Sequence, residues 1–104
     1  MEQATNGREA LQRVALTPYD LVITDILMPE QDGLEVIKEL RRAFPTVKII
    51  AISGGGLFDK ASALKCATLL GAHRTLAKPF GPEELLGAMR ALSLDQAAHK
   101  LILT

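Results

Sequence analysis

Two short runs, Leu21-Val22-Ile23-Thr24 and Val47-Lys48-Ile49-Ile50-Ala51-Ile52, constrain this chain more than any other feature. Both are rich in β-branched residues, and the first is apolar on both of its faces. Such a strand needs cover above and below, the environment of a central strand in a parallel sheet. Amphipathic segments alternate with these runs. After Asn6-Gly7, a turn or helix entry, Ala10, Leu11, Val14 and Ala15 recur at spacings of three and four, giving a helix over Arg8 to Leu16. Thr17-Pro18 ends it. Leu34, Val36, Ile37, Leu40 and Ala43 form a second helical face, with Arg41 and Arg42 in its last turn, where the helix dipole favours cations. Pro45 closes it. A third helix is expected from about Phe58 to Leu70, stopped by Gly71. Arg74 to Ala77 reads as a weaker third strand, ended by Lys78-Pro79-Phe80. Gly81-Pro82-Glu83-Glu84 then opens a last helix, with Leu85, Leu86, Met89 and Leu92 on one face. Strands that alternate with helices predict an α/β fold with a parallel sheet and right-handed crossovers.

Composition narrows the function. The 104 residues suit one domain, whose core must come from Leu, Ile, Val and Ala because there is no Trp and one Tyr. Twelve basic residues balance twelve acidic ones, which argues against nucleic acid held by overall charge. No apolar run is long enough to span a membrane, and the N-terminus lacks a signal-peptide pattern. The single cysteine, Cys66, excludes an internal disulfide and a Cys-rich zinc site, and fits a reducing, cytoplasmic setting. On its helical pattern Cys66 reads as a packed thiol. Arg41, Arg42 and Lys48 read as a solvated basic face, and His73 as an exposed loop residue. His73 and His99 lack companions at metal-ligand spacing.

In an open parallel sheet the site lies at the carboxyl ends of the strands. Those ends carry Asp25, Ser53 and Lys78. A strand-end aspartate is able to attack phosphorus. The acyl phosphate so formed needs its oxygens neutralised, which a lysine does as a point charge and a hydroxyl by hydrogen bonding. Backbone N–H groups of Gly54-Gly55-Gly56 are further donors. A strand-end aspartate alone is more simply an N-cap or turn former; the coincidence at three successive strand ends carries the signal. That the lysine precedes Pro79 leads us to expect an unusual peptide geometry there, aiming it inward. The glycine run is not a nucleotide loop, because Asp59 stands in the third glycine place and no G-K-[ST] follows.

The stretches EQATNGREAL, YDLVITDILMPEQDGLEVIKELR, VKIIAISGG and GAHRTLAKPF resemble the receiver domain of bacterial response regulators, the flavodoxin-like phosphoacceptor module of two-component systems. The D-x-x-M-P-x-x-D-G block from Asp25 to Gly33, with K-P-F downstream, is the specific part. The resemblance implies a non-enzymatic phosphorelay module. Asp25 would be the phosphoacceptor, Ser53 the switch hydroxyl, and Lys78 the lysine that pairs with the phosphoryl group. Asp25 and the Leu27 backbone carbonyl would be Mg²⁺ ligands, while Met28-Pro29 and Asp32-Gly33 shape the loop. It implies a sensor histidine kinase or phosphotransfer protein as partner, with no direct nucleic-acid or membrane contact.

Three departures qualify that expectation. Met1 already stands in what resembles a receiver's second strand, so the first strand, its acidic pair and the first helix are absent, and Mg²⁺ binding is expected to be weak or absent. Glu30 reads as a solvated loop residue rather than a replacement ligand. Thr75 replaces the aromatic that receivers often carry three residues before the lysine, and His73 and Arg74 alter the partner face. Residues 1–92 then form a receiver-like domain, incomplete at its N-terminus, and 93–104 a tail or linker. Within the tail, Lys100-Leu101-Ile102-Leu103-Thr104 resembles a receiver's first strand. Either it is a frayed end, or it fills the vacant central slot in its own chain or, by strand swapping, in a homodimer. Two other functions stay open: a pseudo-receiver that binds partners without phosphorylation, and a small phosphohydrolase with Asp25 as nucleophile. The latter lacks a second aspartate, since Leu27 holds that place.

Overall fold

A computed structural model of the chain describes residues 2–26, 33–53, 60–94 and 99–104. Among them are strands β1 (Glu2–Gln3), β2 (Leu21–Asp25), β3 (Lys48–Ser53), β4 (Arg74–Ala77) and β5 (Leu101–Leu103). The helices are α1 (Gly7–Leu16), α2 (Gly33–Ala43), α3 (Lys60–Leu70) and α4 (Pro82–Ala91). Every strand pairing is parallel, and the order across the sheet is β1-β5-β2-β3-β4. This is the layered α/β architecture with a parallel sheet that the alternating pattern predicts, in the flavodoxin-like form that the resemblance implies.

Strand periodicity explains the layers. Val22 and Ile26, Ile49 and Ala51, and Ile102 point to one face, into a cluster with Ala10 and Val14 of α1, Val36, Ile37 and Leu40 of α2, and Ala67 of α3. Leu21 and Ile23, Ile50 and Ile52, and Leu101 point to the other face, packed with Met89 of α4 and with Leu94. Helix α1 begins one residue before the expected start because Asn6 caps it: its side-chain oxygen accepts the Glu9 N–H at 2.9 Å. The Glu9 carboxylate in turn accepts the Thr5 N–H at 2.7 Å and the Thr5 hydroxyl. Helix α3 ends at Gly71, whose φ of 123° suits glycine; the Arg41 stem packs so closely that a Cβ there would lie 2.3 Å from its Cγ.

The segment near residue 100 is a central strand of its own chain. β5 lies between β1 and β2, with Glu2 opposite Ile102 on one side and Val22 opposite Ile102 on the other. Leu101 and Ile102 are buried, one in each core cluster. At the start of the strand the Lys100 N–H donates to the Asp20 carboxylate at 2.8 Å, and the Lys100 carbonyl accepts the Asp20 N–H at 2.8 Å. The Lys100 ammonium lies 3.6 Å from Glu2 and 5.0 Å from the centre of the Tyr19 ring. The Tyr19 hydroxyl donates to Glu2, and this bond, with Lys100 and Arg13 nearby, holds the Glu2 carboxyl below the usual range.

Two expectations from the sequence are corrected. Cys66 is exposed rather than packed. In the second half of α3, Ala67 faces the core while Leu69 is 77% exposed, so an apolar residue there does not by itself mark the inward face. His73 is half-buried rather than a free loop residue. Its Nδ1 accepts the Ile49 N–H at 3.1 Å, and its own N–H donates to the Ile49 carbonyl at 2.8 Å. Burial, then Lys48 and Arg41, lower the His73 pKa below the ordinary histidine value. Gly54-Gly55-Gly56, Asp59, Glu30 and the Leu27 carbonyl lie outside the described residues.

Two outcomes follow. Ile102→Ala should lower unfolding free energy by about 2–5 kcal/mol in a denaturant titration, the range for truncating a buried isoleucine. The unfolded chain binds a proton at His73 more readily than the folded one. Stability should therefore be full above the ordinary histidine pKa of 6.5 and decline as pH falls below it. His73→Gln should flatten that part of the pH–stability curve, and an unchanged slope would contradict the assignment.

Candidate functional site

Asp25 is the last residue of β2, and Ser53 the last of β3. Lys78 directly follows β4, where its N–H donates to the Ser53 carbonyl at 2.8 Å and extends the β3–β4 ladder by one bond. In-register parallel pairing therefore sets the three residues at one edge of the sheet, and of their side chains Asp25 and Lys78 line a common cavity. β4 lies two strands from β2, about 9.5 Å at the usual strand spacing, a gap that a long lysine stem bridges. The Lys78 ammonium reaches an Asp25 carboxylate oxygen at 2.7 Å. The Lys78–Pro79 peptide bond is cis.

Lys78 is 47% and Asp25 26% exposed at the side chain, so the pair stands at the surface, open to an incoming group. Ser53 is buried, 2% exposed. A cavity of about 400 Å³ opens beside the pair, lined by Gln3, Ala4, Asp25, Ile52, Lys78, Phe80, Leu103 and Thr104. The walls from β1 and β5 were not legible as part of the site, because their residues carry no reactive group and meet Asp25 only through the sheet order.

Glycine is required at one further point. The Gly33 N–H donates to the Ile26 carbonyl at 2.9 Å, bringing the start of α2 against the end of β2. A Cβ on Gly33 would lie 2.1 Å from the Asp25 carbonyl oxygen and 2.6 Å from the Ile26 Cα. Both are backbone atoms, which cannot swing away.

Mg²⁺ demands near-octahedral oxygen ligation. Among the described residues, no group of three or more His, Cys, Asp or Glu is placed to hold a metal. Among the described residues, Asp25 is the one side-chain carboxylate lining the cavity, and an oxygen of it is engaged by Lys78. The described donor set does not fit Mg²⁺ by itself.

Known proteins share this fold. A family model described as the response regulator receiver domain matches residues 1–90. The chemotaxis protein CheY of Thermotoga maritima is 37% identical over 91 residues, covering 88% of this chain and 73% of that protein. The response regulator MprA of Mycolicibacterium vanbaalenii is 40% identical over 92 residues; the match covers 88% of this chain but 38% of the regulator. Among solved structures, the receiver domain of NtrX from Brucella abortus superposes with a TM-score of 0.76 at 28% identity, covering 88% of this chain and 77% of that one. The chain belongs to the response regulator receiver domain family of two-component systems. Members are generally signalling modules rather than enzymes, generally bind Mg²⁺ at an acidic pocket, and interact with histidine kinases. No helix among the described residues is long and apolar enough to cross a membrane.

Gly33→Ala should displace the end of β2. Chemical shifts of the Asp25 and Ile26 amides should move while those of Arg74 to Leu76 stay in place, and folding stability should fall. An unperturbed Asp25 amide would show that the contact is not tight.

Proposed function

We propose that this domain accepts a phosphoryl group on Asp25 from a phosphohistidine of a sensor kinase or phosphotransfer protein, in the cytoplasm. The observation that carries this reading is the 2.7 Å pairing of Lys78 with Asp25 across an intervening strand. An Asp25 carboxylate oxygen attacks phosphorus as the P–N bond of the donor breaks; the imidazole leaves and takes up a proton. Lys78 then turns from the carboxylate to the new phosphoryl oxygens, and the Ser53 hydroxyl becomes their second partner. Movement of Ser53 shifts the following segment and changes the surface offered to a partner. The Leu27 carbonyl and Asp25 are the ligands that this chain would bring to Mg²⁺, which neutralises charge on the phosphoryl group when bound.

A second reading is favoured by one observation. Beside β1 and β5 the cavity is lined by Gln3, Ala4, Leu103 and Thr104, and none of these four side chains is a carboxylate. With the metal poorly held, the domain is a receiver-like interaction module that works without phosphorylation.

Incubation with acetyl phosphate and Mg²⁺, followed by intact-mass measurement, separates the two. A gain of one phosphoryl group, absent in Asp25→Asn and slowed at least about tenfold in Lys78→Ala, supports the first reading. No gain at any Mg²⁺ concentration supports the second.

A further inference from the structure

Asp25 is held from both sides, and one of those sides comes from the far end of the sequence. Toward β3, the Ile26 N–H donates to the Ile52 carbonyl at 2.8 Å. Toward β5, the Asp25 N–H itself donates to the Thr104 carbonyl at 3.2 Å, and the Thr104 N–H donates to the Ile23 carbonyl at 2.9 Å. The next bond outward ties the same stretch to the segment after β1, from the Ala4 N–H to the Leu103 carbonyl at 2.9 Å. Gln3, Ala4, Leu103 and Thr104 then form the cavity wall beside Asp25. The main chain of residues 103–104 thus brackets the acceptor residue at the point where β2 ends and its side chain must turn toward Lys78.

We propose that Thr104 is a positioning residue of this site, acting through its backbone. Its two bonds to β2 fix the peptide plane of Asp25, and that plane sets the direction of the carboxylate. Lys78 approaches from two strands away and meets one carboxylate oxygen at 2.7 Å, so a small rotation at Asp25 separates the pair. The seating of β5 thereby sets the reactivity of Asp25. The grip at the other end of the strand, Lys100 on Asp20, Glu2 and Tyr19, holds the segment in register without touching the site. The geometric part stands by itself; its consequence for phosphorylation rests on Asp25 being the acceptor.

The test compares substitutions of Thr104 in the full chain. Thr104→Pro removes the N–H that bonds Ile23 and leaves Leu101 and Ile102 in the core. Thr104→Val keeps the N–H and the branched shape. In Thr104→Pro, amide exchange at Asp25 should accelerate at least about tenfold while Ile50 is unchanged, and the NMR cross-peaks between the Lys78 ε-methylene and the Asp25 β-protons should disappear. Labelling by acetyl phosphate should slow by about 10- to 100-fold, the scale expected for a misplaced reacting group. Thr104→Val should match the parent in all three. If Thr104→Pro does not fold, Thr104→Gly loosens the same bonds and should show the same changes in smaller measure. Cross-peaks and labelling that persist while the Asp25 amide exchanges freely would overturn the proposal, as would loss of both in Thr104→Val. If the parent chain takes no phosphoryl group, the acceptor reading falls, and the cross-peaks alone decide the positioning role.

Discussion

The structure depends on β2 having a parallel neighbour on each side. Its inward residues alternate between two cores, Val22 into one and Leu21 and Ile23 into the other, so both faces and both edges must be covered. β3 covers one edge with five paired residues, and β5 covers the other with three. A bare edge beside such apolar residues would leave backbone groups unpaired next to buried surface, which costs about 1–3 kcal/mol per group. The segment 101–103 answers both needs at once, pairing β2 and β1 while placing Ile102 and Leu101 in opposite clusters.

That same sheet explains why the chemistry gathers where it does. Parallel strands all end on one side, so residues far apart in sequence meet there without a dedicated loop. The Asp25–Lys78 pair adds little to stability. Both side chains are reached by solvent, and such pairs contribute about 0–1 kcal/mol. Its value is positional: a cation stands where charge would develop on a group transferred to Asp25. By contrast, the contacts of Glu2, Tyr19, Arg13 and Lys100 lie at the other end of the strands and bear on the register of β1 and β5 rather than on the site.

Much of this was legible in the chain. The helix over residues 8–16, the strands beginning at Leu21 and near Val47, the strand over 74–77 and the last helix all follow from apolar spacing and from Pro, Gly and Asn signals. The D-x-x-M-P-x-x-D-G block with its downstream K-P-F gave the family and pointed to Asp25, Ser53 and Lys78. Cys66 and His73 were misread for opposite reasons. The apolar spacing of α3 suggested a packed thiol, but Cys66 stands on the exposed side of the helix, next to the buried Ala67. His73 looked like loop, but its ring completes the backbone bonding of Ile49.

What the sequence by itself determined is the alternation of elements and the identity of the groups at the strand ends, because both follow from local pattern and from motif. What only the tertiary structure decided is which segment stands beside β2. From sequence alone the Lys100–Thr104 stretch reads as a frayed end or linker at least as readily as a central strand, since three apolar residues carry no information about their neighbour. Strand choice is a long-range matter of backbone pairing and two-sided burial, and it is that choice which brings Thr104 to the Asp25 amide.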